Sequence, residues 1–143
     1  MCLMLYFASD ADVAPVTSVD LYVEPIDADA GVVRQWLTRP EARFIGAHTG
    51  CSCGFPFAEA DEPVEFFDGM FDGRDDREKD LASVRALFRL IDEALERSEL
   101  VELFPVWTGD EADAPIGVLH VRRRDLDAER FLFTEHFLYR VTR

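Results

Sequence analysis

Between His48 and Gly54 the chain reads His-Thr-Gly-Cys-Ser-Cys-Gly, which puts one imidazole and two thiols within six positions. Glycines permit the tight backbone paths that side-chain clusters need. Two chemistries suit this set. Thiolates and an imidazole bind soft or borderline cations, Zn²⁺ above all. Alternatively, a thiolate stabilised by nearby backbone N–H groups is a nucleophile, with His48 placed to serve Cys51 or Cys53 as base. Structural zinc takes four ligands and usually C-x₂₋₄-C spacing, whereas this C-x-C is shorter and stands alone. A fourth ligand has to come from elsewhere, and Cys2 is one candidate, giving the set Cys2, His48, Cys51 and Cys53. The plainer alternative is structural: free cysteines pack as small hydrophobes, and His48 bonds a backbone group.

Whether Cys2 reaches this segment depends on strand direction. Cys2 to Ser9 is apolar on both alternating faces, as in a central strand covered on both sides. If that strand runs antiparallel to the one ending at Ala47, Cys2 comes level with His48; if parallel, Ser9 and Asp10 do. Val19 to Glu24 alternates as a half-buried strand, a short helix capped by Asp27 or Asp29 reaches Leu37, and Arg43 to Ala47 reads as the next strand. Strand, helix and strand suggest a right-handed parallel crossover, so that a simple return from the first strand places Cys2 beside His48.

Downstream, an acidic stretch from Ala58 to Asp80 is interrupted by Phe66, Phe67, Met70 and Phe71, which are expected to pin it to the core. A helix over about Asp76 to Ser98 follows from the spacing of Leu81, Val84, Leu87, Phe88, Ile91 and Leu95. Asp75 and Glu78 resemble a capping box. Leu100 to Trp107 reads as a strand whose Pro105 favours an edge or a bulge. Ile116 to Arg122 is short and apolar, and Phe131 to Thr142 alternates with Phe131, Phe133, Phe137, Tyr139 and Val141 on one face. Glu135 breaks that face, and if buried it needs Arg140, His120 or a ligand. The expectation is one α+β domain over residues 1–143, with a mixed sheet of about five or six strands and two main helices.

Composition bounds the rest. The chain has 143 residues, 48% of them hydrophobic, and carries 29 acidic against 15 basic side chains, a formal charge of −14. Such a surface repels phosphate backbones and anionic lipid, so neither nucleic acid nor membrane is an expected partner; small molecules and proteins remain. Three cysteines, two of them in a C-x-C, fit a reduced cytoplasmic protein better than a secreted disulfide framework. Asp68 to Gly73 glances at a calcium loop, but Met70 sits where a ligand is required. Walker, dinucleotide and nucleophile-elbow patterns are missing from the sequence. Arg122, Arg123 and Arg124 fit a solvated strand end better than an anion grip.

The start Met1-Cys2 leading to Ala8-Ser9-Asp10, together with Gly46-Ala47-His48-Thr49-Gly50-Cys51-Ser52-Cys53-Gly54-Phe55, resembles a family of small bacterial proteins of unknown function. In that family the second segment reads G-S-H-x-G-C-G-C-G-F, and Ala47 and Ser52 depart from it. The resemblance brings no activity and no catalytic role. It implies that Cys2, His48, Cys51 and Cys53 belong together. The functional expectation is a binding domain, non-enzymatic, with a small ligand or protein at its His/Cys loop. A thiol-dependent enzyme or a Zn-stabilised domain is the alternative.

Overall fold

The computed structural model describes residues 2–58 and 77–143. Its frame is a seven-stranded mixed sheet built from β1 (Leu3–Ser9), β2 (Val16–Thr17), β3 (Tyr22–Glu24), β4 (Glu41–Gly46), β6 (Val101–Trp107), β7 (Gly117–Arg122) and β9 (Phe137–Thr142), in the order β2-β3-β4-β1-β6-β9-β7. A separate parallel pair joins β5 (Phe57–Ala58) to β8 (Phe133–Thr134). One long α-helix, α1 (Arg77–Leu95), and a 3₁₀ helix over Ala28–Trp36 complete the architecture. The α+β class and the mixed sheet agree with the sequence, but the strands outnumber the expected five or six. The surplus comes from two-residue strands, too short to leave an alternation in the sequence.

β1 owes its central place to hydrophobicity on both faces. Leu5 and Phe7 join Val84, Leu87, Phe88 and Ile91 of α1 in the main core. Tyr6, on the other face, packs with Phe104, Val106 and Val33 beneath the 3₁₀ helix. Five of the six apolar positions that mark α1 in the sequence are buried, and Leu81 is half-buried. The expected capping residue Asp75, the start at Asp76, the aromatic pins Phe66 to Phe71 and the discarded calcium loop lie outside the described residues.

Three strand expectations need correction. β3 and β4 are antiparallel neighbours, with Val23 opposite Ile45, so Val19 to Ala47 is no parallel crossover. The 3₁₀ helix lies across one sheet face between them, a return that a strand–helix–strand pattern does not distinguish from a crossover. β6 is interior, between β1 and β9, despite Pro105. Its ladder to β9 covers only Val101 to Leu103, so the proline falls beyond those rungs, and its carbonyl accepts the His136 N–H at 2.7 Å. The final aromatic stretch splits into β8 and β9 because His136 adopts a left-handed φ of 63°, which no strand continues. Phe131, Phe133, Tyr139 and Val141 nevertheless reach one core, with Phe137 packed against it. Glu135 accepts a hydrogen bond from the Trp107 indole, while Arg140 pairs with Glu102 at 3.5 Å.

Candidate metal centre

The register of β1 and β4 settles the position of Cys2. The two strands are antiparallel with Leu5 opposite Ile45, and extending the same register brings Cys2 level with His48. The chain after β4 turns sharply. The Gly50 N–H donates to the Ala47 carbonyl and the Ala47 N–H to the Cys51 carbonyl, both at 2.9 Å. Gly50 has φ +85°, a conformation that side chains rarely adopt, so the turn needs glycine there. A short 3₁₀ helix, Ser52–Gly54, then lies against β1, β4 and α1.

Ser52 fixes this loop. Its side chain is fully buried, and its hydroxyl donates to the Ile45 carbonyl at 2.6 Å while accepting the Leu5 N–H at 2.7 Å. One hydroxyl thus bridges the cross-strand pair Leu5–Ile45 and anchors the residue between the two thiols. Cys51 and Cys53, on either side of it, are half-exposed. Cys53 Sγ accepts the Leu3 N–H at 3.2 Å, and the Cys2 carbonyl accepts the N–H and hydroxyl of Thr108, each at 2.9 Å. The start of β1 is therefore tied to the loop on one side and to the residue after β6 on the other.

The outcome is a thiol triad. The Sγ atoms of Cys2, Cys51 and Cys53 all lie within 4.8 Å of one another. Cys2 is exposed, so the cluster opens to solvent. Burial alone would raise the Cys51 thiol, but hydrogen bonding from the Thr49 hydroxyl, the Cys53 backbone and the Cys53 and Cys2 thiols outweighs it and holds Cys51 below the usual thiol range. Burial pushes Cys53 up to about 11; the Leu3 N–H opposes the rise, and the sulfurs of Cys51 and Cys2 add to it. The thiols of Cys51 and Cys53 are thus shifted in opposite directions, and Cys51 gives up its proton more readily than Cys53.

His48 does not join them. Its Nε2 lies 2.7 Å from Asp80 Oδ1 on α1, and its backbone N–H donates to the Ser83 hydroxyl at 3.0 Å. The ring lies against Gly54, where an added Cβ would stand 3.0 Å from Nε2 and 2.8 Å from the Ala47 Cβ. His48 thus fastens the loop to the helix. Among the described residues no hydrogen bond connects it to Cys51 or Cys53. Of the four ligand candidates, the structure brings together Cys2, Cys51 and Cys53 and seats His48 elsewhere.

Ser52, Asp80 and Ser83 support the site without having been singled out in the sequence. Asp80 and Ser83 left a signal: they occupy the same helical stripe as Val84 and Leu87, and polar residues on an apolar stripe need buried partners. No helix among the described residues is long and apolar enough to cross a membrane. Comparison with known proteins adds nothing to this geometry, for no protein-family model, curated protein or solved structure matches the chain.

Proposed function

We propose that the chain is a binding domain whose ligand is a thiophilic metal ion held by Cys2, Cys51 and Cys53. The observation that carries the reading is the convergence of three sulfurs within 4.8 Å from segments 49 and 51 residues apart (Cys2 to Cys51 and to Cys53). Thiolate donors select Zn²⁺ or Cu(I) over hard cations such as Mg²⁺ or Ca²⁺. A short contraction of the triangle suffices, because Zn–S bonds are about 2.3 Å long. Three protein ligands leave a fourth position on zinc open, and the exposure of Cys2 puts that position toward solvent.

Metal would also act on the fold. The triad ties the start of β1 to the loop after β4, so an ion bound only by the folded chain stabilises it by mass action. The thiol-enzyme alternative has less support, since the Cys–His contact it requires is replaced by His48–Asp80. Native mass spectrometry of reduced protein with Zn²⁺ tests the reading. One ion per chain, lost in Cys2→Ser, Cys51→Ser and Cys53→Ser alike, is the expected result. Retention of the ion in any one of the three variants, or no uptake by the native chain, rejects it.

A further inference from the structure

The two edges of the large sheet differ sharply. β2, at one end, is two residues long and offers almost no template. β7, at the other, is six residues long, and among the described residues nothing pairs with its outer edge. Edge strands are normally blunted by lysine, proline, inward charges or bulges. Gly117 to Val121 carries none of these devices. Val118 is 42% and Leu119 37% exposed on the strand, and Ile116 just before it is 61% exposed, so three of the six exposed large hydrophobics of the described residues lie on or next to β7.

Charge says what fits there. In a chain of net charge −14, β7 ends on Arg122, and Arg123 and Arg124 follow it in a short 3₁₀ turn. Arg123 is committed to Asp92 at 2.7 Å. Arg122 and Arg124 are exposed and form no ion pair among the described residues. On the other side of the strand lies the acidic turn of Asp110, Glu111 and Asp113, whose Asp113 is exposed and likewise unpaired among the described residues. One strand therefore has a cationic end and an anionic end. That arrangement complements itself when reversed.

We propose that β7 pairs antiparallel with β7 of a second copy of this chain, joining two sheets across a two-fold axis. A two-fold axis perpendicular to the sheet requires opposed residues to share a face, so the register must centre on a residue. Centring on Leu119 sets Leu119 against its own copy, Val118 against His120 and Gly117 against Val121, with Arg122 and the turn after it running on past the start of the other copy's strand. The arginines of each copy then reach the neighbourhood of Asp113 of the other. A pairing this short buries less than the roughly 1,600 Å² of a standard interface, so the dimer forms and dissociates with concentration.

The test is the molar mass by light scattering over a concentration series, with reductant and chelator present so that neither disulfides nor shared metal produce association. The native chain is expected to pass from one-chain to two-chain mass. Leu119→Lys, which sets like charges against each other at the axis, weakens the dimer roughly tenfold or more. Arg124→Asp also weakens it, and Arg124→Asp with Asp113→Arg in the same chain restores it. A one-chain mass throughout, a natively folded Leu119→Lys that dimerises like the native chain, or no recovery in the double charge swap overturns the proposal. None of these outcomes bears on metal uptake by the thiols.

Discussion

Ser52→Ala tests how the thiol loop is held. In the folded chain one buried hydroxyl makes two short hydrogen bonds, at 2.6 Å to the Ile45 carbonyl and 2.7 Å from the Leu5 N–H. Alanine removes both and leaves a donor and an acceptor without their partner in a region where Leu5 and Ile45 are fully buried. Each orphaned group costs about 1–3 kcal/mol, so the limit is about 2–6 kcal/mol. Leu5 and Ile45 face each other across β1 and β4, and a small closing movement recovers part of that by direct pairing. The expected loss is about 2–3 kcal/mol, read by urea denaturation from the fluorescence of Trp36 and Trp107. For a chain of this size the melting temperature falls by roughly 6–12 °C. Ser18→Ala is the control, because the Ser18 hydroxyl also bridges a carbonyl and an N–H, both of Leu21 at 3.1 Å, but at an exposed turn. It should cost under about 1 kcal/mol, since water replaces the lost partner. If Ser52→Ala costs no more than the control, the buried bridge does not hold the loop.

Cys51, with its thiol held low, is alkylated by iodoacetamide ahead of Cys53 near neutral pH; raising the pH toward 11 brings Cys53 up to a comparable rate. Peptide mapping that finds Cys53 modified first contradicts the opposite shifts of the two thiols. The same depression makes the Cys51 thiolate favour the folded state above its unfolded pKa, a contribution lost as the pH falls through the folded value. Glu102 is fully buried, and its Oε1 accepts the Thr38 N–H at 2.7 Å, the Arg39 N–H at 2.9 Å and the Thr38 hydroxyl at 3.1 Å. Glu102→Ala strands these donors and the Arg140 cation, and should cost about 3–5 kcal/mol by chemical denaturation. Glu102→Gln, which keeps an acceptor oxygen, should cost clearly less; equal losses would mean that the carboxylate's bonds are not what holds the 3₁₀ helix to the sheet.

How much of this could be read from residues alone differs between elements. α1 was plain because a nineteen-residue helix repeats its apolar stripe several times. β1 was plain as well, since hydrophobicity on both faces leaves only a central position. Strand direction was harder. The parallel crossover expected between β3 and β4 was wrong, yet the placement of Cys2 survived, because it needed only β1 and β4 to be antiparallel. Pro105 misled for a physical reason: a proline is excluded only where its missing N–H would have a partner, and an interior strand has stretches without one. In the site, the thiols stood out by residue type, and His48 was grouped with them by type, by its place in the same short segment and by the family resemblance. What took it elsewhere is Asp80, 32 residues away on a helix face, a contact no local pattern announces.

The central claim is that Cys2, Cys51 and Cys53 act as one ligand set, and cobalt(II) titration of the reduced protein tests it most directly. Thiolate-bound cobalt absorbs through sulfur-to-metal charge transfer, with an intensity that grows with the number of sulfurs. Saturation at one equivalent is expected, with a band that drops by roughly a third when any single cysteine becomes serine, consistent with one metal held by three protein ligands. A band untouched by Cys2→Ser, or no charge-transfer band at all, would show that the triad seen in the fold does not bind metal.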